Sequence, residues 1–316
     1  YTLDAACASS LYAIKLAVDE LQSGRADVML AGGISRPDAL YTQMGFSQLR
    51  ALSPTGSCTP FDEAGDGLVV GEGSAIFVLK RLEDAVADGN TIHGVIRGIG
   101  LSNDVGGRLL APSSEGQLRA MRAAYGQAGW TPQSVDLIEC HATGTSVGDA
   151  VEVASLKELW GADGWEAQQC TLGSVKSNIG HTLTAAGSAA MLKVLLALRY
   201  KTLPPTASYD HSPAAWSLEQ SPFQVRKEST TWETDTPRRA GISAFGFGGI
   251  NAHVLIEEWT APEAEMQGSF EPLEGPDCPI AIVGMDAHFG PWDSLRAVRE
   301  RLLGGGVSHA PKSPEH

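Results

Sequence analysis

The sequence predicts a layered α/β fold in which helices cover both faces of the β-sheets. Short apolar runs of strand length alternate along the chain with segments whose apolar residues recur at helical spacing. Some of these runs are apolar at nearly every position, which is typical of strands that are buried on both faces. The segment AAGSAAMLKVLLAL is apolar on nearly every side and indicates a helix in the middle of the domain.

The elements follow from the first residues onward. Leu11, Ile14, Val18 and Leu21 recur at helical spacing and predict a helix over about 7–22, which ends near Gly24. The later elements are the strands ADVMLAGG, SAIFVLK and TIHGVIRGIGLS, a helix over about 115–128, the strand VDLIEC, a helix over about 147–160, the strand CTLGSV, the apolar helix, and the strands RAGISAF and NAHVLIEE around a GFGG turn.

The composition changes after Trp259. The stretch TAPEAEMQGSFEPLEGPDC is rich in Pro, Glu and Gly and has no periodicity, so it predicts an interdomain linker over residues 260–278. The strand PIAIVGM then begins a second unit over residues 279–316, and the first domain takes residues 1–259. Because the chain opens inside an element and without a methionine, we expect it to be a fragment.

Charge and cysteine content narrow the function classes. The chain has 316 residues, of which 43% are hydrophobic, and this is enough for a sizeable core. Its net charge is −14 and no basic cluster interrupts it, which argues against nucleic acid and against an anionic membrane as partners. Five cysteines form no CxxC pair, a pattern typical of a reducing compartment and therefore of the cytoplasm. We expect neither a signal peptide nor an apolar run that is long enough to span a bilayer.

Cys7 is the first candidate site residue, because it lies at the start of the first predicted helix. Unpaired backbone N–H groups and the positive end of the helix dipole favour a thiolate there. The alternative is a small buried cysteine that begins an amphipathic helix.

Three further motifs follow predicted strands: CHATGTSVGDAVE with His141, SVKSNIGHTLTAAG with Lys176 and His181, and SAFGFGGINAHV with Phe247. In layered α/β folds, catalytic groups gather at such strand ends. Taken singly, the two histidines could be structural, the lysine a surface residue and the phenylalanine a core residue. Their joint occurrence with Cys7 favours a catalytic site.

The motifs DAACASS, HATGT, KSNIGH and GFGGINAH resemble the active-site motifs of the β-ketoacyl synthases, the condensing enzymes of fatty-acid and polyketide synthesis. The resemblance covers Tyr1 to about Trp259 and implies a thiolase-like layered αβαβα fold. It further implies that residues 1–259 are a ketosynthase domain that lacks its N-terminal half, and that the family's homodimer forms largely through that half.

The resemblance implies a decarboxylative Claisen condensation of the 3-oxoacyl-[acyl-carrier-protein] synthase type, which extends an acyl chain by two carbons. Cys7 would carry the acyl chain as a thioester. His141 and His181 would stabilise the enolate formed when malonyl thioester loses CO₂, and Lys176 would organise the surroundings of His181. No metal or bound cofactor is implied, and the substrates are carried on the phosphopantetheine of an acyl carrier protein.

Other positions carry over from the family in the same way. Thr143 and Thr145 match threonines that bind the phosphopantetheine arm, although turn residues that bond their own backbone would look the same. Phe247 matches a gating phenylalanine, and its backbone N–H, with that of Cys7, would form the oxyanion hole. The run FDEAGDGLVVGEG matches a loop near the site, in which Glu72 could equally be structural.

Two departures from the commonest family pattern surround His141. Ala142 stands where glycine is usual, which adds a methyl group, and Cys140 stands where alanine is common. Adjacent residues at a strand end point to opposite sides, so Cys140 and His141 are poor candidates for a nucleophilic pair.

Alternatives to an extending ketosynthase come from the same fold and from outside it. They are a thiolase or initiating condensing enzyme, a non-catalytic chain-length-factor partner, and a Cys-His hydrolase of thioesters. The segment PIAIVGMDAHFGPWDSL resembles the opening of a further ketosynthase-like domain. That order is similar to polyunsaturated fatty acid synthases, in which a chain length factor follows in cis, and a modular polyketide synthase is the alternative.

Overall fold

The computed structural model describes residues 1–36, 39–105, 112–260 and 278–306. Within these ranges the predicted α/β class is confirmed, with boundaries that differ by one to a few residues from the expected ones. The helices are α1 (Ser9–Gln22), α2 (Ala39–Gln48), α3 (Leu82–Ala87), α4 (Ser114–Ala128), α5 (Ser146–Trp160), α6 (Lys176–Ile179), α7 (Ala186–Tyr200) and α8 (Leu295–Leu303). The strands are β1 (Met29–Ser35), β2 (Gly73–Arg81), β3 (Gly94–Asn103), β4 (Leu137–Glu139), β5 (Cys170–Gly173), β6 (Thr202–Leu203), β7 (Phe223–Val225), β8 (Thr230–Thr231), β9 (Arg239–Gly246), β10 (Ile250–Glu257) and β11 (Ile280–His288).

Nine of these strands form one mixed sheet in the order β1-β2-β11-β3-β10-β9-β4-β5-β7. The last four strands in this order, from β9 to β7, run parallel to one another. All pairs that precede them in the order, from β1-β2 to β10-β9, are antiparallel. The carboxyl ends of parallel β4 and β5 therefore lie side by side, and each leads into one of the histidine motifs.

Helices cover both faces of this sheet, as the sequence predicts. Neighbouring residues on one strand enter two different hydrophobic clusters, because successive side chains point to opposite faces. Leu137 of β4 packs with α1 and α7, whereas Ile138 packs with α4 and α5. Val254 and Leu255 of β10 divide in the same way.

The apolar helix α7 lies inside the domain, as its composition predicts. One stretch, Leu183–Tyr200, is long and apolar enough to cross a membrane, which corrects our expectation that no such run exists. However, 78% of this stretch is buried inside the protein, as in the core helix of a globular domain. Gly187 lets α1 approach closely, since a Cβ there would lie 2.6 Å from the Cγ of Leu11.

Residues 278–306 contribute an internal strand to the same sheet. Strand β11 pairs with β2 and β3, and the side chain of Arg301 donates hydrogen bonds of 3.0 and 2.9 Å to the backbone oxygen of Asn178. The start of a second domain at Pro279 stays a prediction. Nearly all of the expected linker over 260–278 lies outside the described residues.

Candidate active site

A cavity of about 360 Å³ lies where the turn before α1 meets the ends of β4, β5 and β9. The side chains that line it include Cys7, His141, His181 and Phe247. These residues are far apart in the sequence, so the fold brings together four of the residues that the motifs single out.

Cys7 lies in a tight turn just before α1, two residues earlier than the first helical residue. Ala6 has a φ of +50°, in the left-handed region, and this turns the chain sharply into the helix. The hydroxyl of Ser9 fixes the turn, since it accepts a 2.8 Å bond from the Ala5 N–H and donates a 2.6 Å bond to the Ala6 oxygen. The Cys7 side chain is thereby held at the cavity wall, and the residue is only 4% exposed.

Burial raises the pKa of the Cys7 thiol to about 11. The charge of Lys176 and the backbone N–H groups of Phe247 and Cys7 lower it, but desolvation is the larger effect. Our expectation of a thiolate at Cys7 is therefore wrong. Desolvation outweighs the charge of Lys176 and the backbone N–H groups because the sulfur lies in the protein interior.

His181 contacts the sulfur directly, with its Nε2 atom 3.2 Å from the Cys7 Sγ. Its Nδ1 accepts a 3.3 Å hydrogen bond from the backbone N–H of Leu183. Burial, followed by the charge of Lys176, holds the pKa of His181 well below its usual range, so the ring is neutral. A neutral ring that accepts at Nδ1 carries its proton on Nε2, which assigns Nε2–H as a donor toward Sγ.

His141 lies beside His181 at the end of β4. The two ring centroids are 5.3 Å apart and the rings meet edge to face. Burial is the largest cause that holds the pKa of His141 well below its usual range, followed by the charge of Lys176. Its Nδ1 is buried without a hydrogen-bond partner among the described residues, so Nε2 is the nitrogen available to a ligand.

Cys7, His141 and His181 each place one ligand atom within 4.8 Å of the others, which is close enough to consider a metal ion. Sulfur and imidazole nitrogen would suit zinc. A histidine that binds a metal through Nε2 normally donates its Nδ1–H to an acceptor. At His181 the Nδ1 atom instead faces the N–H donor of Leu183, so the surroundings disfavour a metal there.

Lys176 is a buried residue, which excludes the alternative of a solvated surface lysine. It is 1% exposed and begins the short helix α6. Its Nζ lies 3.5 Å from the backbone oxygen of Cys140, next to His141. Burial lowers the pKa of Lys176, and the carboxylates of Glu139 and Glu152 oppose that effect.

The turn after β9 presents Phe247 to the cavity. Its ring is 37% exposed and lies 5.8 Å from the ring of Phe46 in α2. The backbone N–H groups of Phe247 and Cys7 both lower the pKa of the Cys7 thiol, and their role as an oxyanion hole stays a prediction. Gly246 allows the close approach of the two segments, because a Cβ there would lie 3.1 Å from the Cys7 nitrogen.

Thr143 and Thr145 both line the cavity, on the turn between β4 and α5. Their hydroxyl oxygens lie 3.0 Å apart, so each can donate to the other or to a bound molecule. Their contact with the phosphopantetheine arm stays a prediction.

Two buried carboxylates that the sequence did not single out hold the His141 turn. Glu152 accepts bonds of 2.9 and 2.8 Å from the N–H groups of His141 and Ala142. Asp149 accepts bonds of 3.0 and 3.2 Å from the N–H groups of the next two residues. Burial raises the pKa of Asp149 to about 6 and that of Glu152 to about 7. The sequence contains a signal for this pair: two carboxylates three residues apart, and thus on one face of the helix that follows the motif histidine.

The run FDEAGDGLVVGEG covers residues 61–73 and forms a loop that leads into β2 and contacts both histidine turns. The Gly67 N–H donates a 3.0 Å bond to the Gly144 oxygen, and the His181 N–H donates a 2.6 Å bond to the Val69 oxygen. Gly71 must be a glycine, since a Cβ there would lie 2.3 Å from a backbone oxygen. Glu72 is exposed and does not line the cavity.

Cys140 and His141 point apart, as expected of adjacent residues at a strand end. The Cys140 side chain is buried in the hydrophobic cluster of α4 and α5, whereas His141 lines the cavity. They do not form a nucleophilic pair.

Family models match most of the chain. The model "Beta-ketoacyl synthase, N-terminal domain" matches residues 1–85, and "Beta-ketoacyl synthase, C-terminal domain" matches residues 93–210. A third, "Ketoacyl-synthetase C-terminal extension", matches residues 212–277.

Curated and solved proteins are similar to the chain over most of its length. A polyunsaturated fatty acid synthase polypeptide of Thraustochytrium sp. is 41% identical over 100% of this chain, which spans 15% of that protein. The ketosynthase from module 6 of the bacillaene synthase of Bacillus subtilis 168 is 41% identical, with a TM-score of 0.79 over 82% of this chain and 47% of that one. A structure titled "PfaC Keto synthase-Chain length factor" is 41% identical, with a TM-score of 0.75 over 93% of this chain and 31% of that one.

Proposed function

We propose that this chain, which belongs to the β-ketoacyl synthase family, takes part in a decarboxylative Claisen condensation that extends an acyl chain by two carbons. The observation that carries the proposal is the contact of the Cys7 sulfur with the His181 Nε2 at 3.2 Å, with the His141 ring beside them in one cavity. The fold of the solved ketosynthases and the order of the four motifs support it.

In the first half-reaction, Cys7 attacks the carbonyl of an acyl thioester carried on the phosphopantetheine of an acyl carrier protein. The carbonyl oxygen becomes an oxyanion that accepts from the N–H groups of Phe247 and Cys7. The His181 Nε2–H stabilises negative charge on the sulfur as its thiol proton is lost. The C–S bond to phosphopantetheine breaks, and the proton ends on the departing pantetheine thiol. The acyl group is then a thioester of Cys7.

In the second half-reaction, malonyl thioester enters with its arm beside Thr143 and Thr145. Its C–C bond to the carboxylate breaks, CO₂ leaves, and the electron pair forms an enolate. Nε2–H groups of His141 and His181 donate to the enolate oxygen, which is possible because both rings are neutral. The enolate carbon attacks the Cys7 thioester, and the released thiolate takes a proton from solvent.

The enzyme type and context that we propose are a 3-oxoacyl-[acyl-carrier-protein] synthase within a polyunsaturated fatty acid or polyketide synthase. The likeness to the Thraustochytrium polypeptide over the whole chain supports that context. The likeness to a structure titled as a ketosynthase–chain length factor, over 93% of the chain, supports the proposal of a chain-length-factor-like domain in cis. We further propose a homodimer located in the cytoplasm, where the unpaired cysteines stay reduced.

Peptide mass spectrometry tests the role of Cys7. The experiment uses a longer polypeptide with additional residues on the N-terminal side of residue 1, because this chain covers 47% of the bacillaene ketosynthase. Incubation with an acyl thioester should add the acyl mass to the peptide that contains Cys7, and malonyl thioester should then yield CO₂ and a 3-oxoacyl product. Label on Cys58 or Cys140 with Cys7 unmodified would refute the assignment, and hydrolysis without condensation would favour a thioester hydrolase.

A further inference from the structure

Glu139 and Lys193 form a buried ion pair behind the candidate site. The Glu139 Oε2 and the Lys193 Nζ lie 2.9 Å apart, and both side chains are 0% exposed. Glu139 follows two apolar residues in β4, and Lys193 lies in the apolar middle of α7. Burial of two charges carries a large desolvation cost, and apolar side chains of similar volume are often as stable or more so. Fold stability alone therefore does not explain why this pair is present.

Glu139 connects the two histidine turns. It is the last residue of β4, two positions before His141. Its Oε1 accepts a hydrogen bond from the backbone N–H of Val175, the residue that precedes Lys176. A single carboxylate thus contacts the turn that carries Lys176 and His181 while it anchors the end of the strand that carries His141.

Gly173 provides the space for this pair. It is the partner of Glu139 in the parallel ladder between β4 and β5. A Cβ on Gly173 would lie 3.1 Å from the Glu139 Oε2 and 3.2 Å from the Lys193 Nζ, which is tighter than ordinary contact. The backbone at this position has no positive φ, so the glycine is needed for room and not for its conformation.

Lys193 limits where the Glu139 carboxylate can turn. One oxygen of Glu139 accepts a hydrogen bond from the Val175 N–H, and the other lies 2.9 Å from the Lys193 ammonium, which attracts it as an ion pair without hydrogen-bond geometry. The carboxylate therefore favours the Lys176 ammonium electrostatically but forms no direct ion pair with it. The Lys176 ammonium stays against the Cys140 oxygen, beside His141.

We propose that Glu139 and Lys193 are positioning residues for decarboxylation, which fix the His141 turn against the Lys176–His181 turn and hold the Lys176 ammonium in place. This inference rests on the proposed function of Cys7 and the two histidines. It assigns no contact between the pair and the substrate, since neither residue lines the cavity.

The test compares Glu139→Gln with the double variant Glu139→Gln/Lys193→Met in a polypeptide that carries the complete ketosynthase. Three quantities are measured: CO₂ release from malonyl thioester, acyl loading of Cys7, and the urea midpoint of unfolding. Glu139→Gln leaves a buried lysine unpaired and should lower the midpoint. The double variant removes both charges at similar volume and should recover it.

The expected result is that recovery of stability does not restore the reaction. In the double variant, CO₂ release should stay about tenfold to a hundredfold below wild type, the range expected of a misplaced catalytic group, while loading stays within about twofold. In Glu139→Gln, which keeps Lys193, the alkaline limb of the pH profile of CO₂ release should also move to lower pH, because the Lys176 ammonium loses a carboxylate that favours it. The other titratable groups near Lys176 are unchanged in the variant: Glu152, Asp149, His141, His181, Cys7, Cys58 and Cys140.

Two further variants keep the test decisive. Gly173→Ala places a methyl group against the ion pair without a change of charge, and it should lower CO₂ release more than acyl loading. This variant tests the inference even if the charge variants fail to fold. Arg238→Met/Glu258→Gln removes another largely buried pair, at 2.7 Å, and should leave the ratio of the two rates unchanged. A double variant, or a folded Gly173→Ala, with wild-type CO₂ release would overturn the inference. A wild-type protein that releases no CO₂ would instead overturn the proposed function.

Discussion

Glu152 should make the stability of this protein depend on pH around neutrality. Burial raises the pKa of Glu152 from 4.5 to about 7 in the folded protein. The fold therefore prefers the protonated carboxyl. Its contribution to stability is complete below pH 4.5 and is lost as the pH rises through about 7. A difference of about 2.5 pH units corresponds to about 3 kcal/mol, of which about 2 kcal/mol falls between pH 5 and pH 8.

The variant Glu152→Gln isolates this effect. Gln can accept only one of the two N–H bonds that come from His141 and Ala142. An unsatisfied buried N–H costs about 1–3 kcal/mol, so the variant should be less stable than wild type at pH 5. At pH 8 the wild type has lost its protonated carboxyl, and the gap between the two free energies of unfolding should narrow by about 2 kcal/mol.

Urea denaturation at several pH values measures both free energies of unfolding. Asp149 is present in both proteins, so its titration largely cancels in the difference. Glu158→Gln is measured in parallel as the control at a solvent-exposed carboxylate, whose side chain is 60% exposed. A gap between wild type and Glu152→Gln that stays constant from pH 5 to pH 8 would refute the reasoning.

Three further outcomes are expected. His141→Ala should lower CO₂ release by about a hundredfold and leave acyl loading of Cys7 unchanged, whereas His181→Ala should lower both rates, because of the two histidines only His181 contacts the buried sulfur. Malonyl decarboxylation and the acyl mass on Cys7 measure the two rates. Equal losses of both rates in the two variants would contradict this expectation. Alkylation of Cys7 by iodoacetamide should rise about tenfold per pH unit between pH 7 and pH 9, as a thiol with a pKa of about 11 requires; a rate that is flat over this range would show a thiolate at neutral pH. Gly249→Ala should lower the urea midpoint more than Gly248→Ala, since both have positive φ but only a Cβ at 249 would meet Asp104, at 2.5 Å; equal midpoints would argue against that contact.

The sequence by itself determined the fold class, the order of the main helices and strands, and which turns carry the candidate site. These follow from local rules, because apolar periodicity and turn residues act over a few neighbours along the chain. The strands SAIFVLK and NAHVLIEE and the helix over 147–160 are examples. The helix α2 was not among the predicted elements.

Only the tertiary structure decided the electrostatics of the site. Helix position predicts a lowered pKa for Cys7, yet segments distant in sequence enclose the sulfur, and the resulting desolvation raises that pKa to about 11. The anchoring of His141 by Glu152 and the pairing of Glu139 with Lys193 likewise join residues on different elements. The burial of a charge depends on everything that surrounds it, and no local pattern records those contacts.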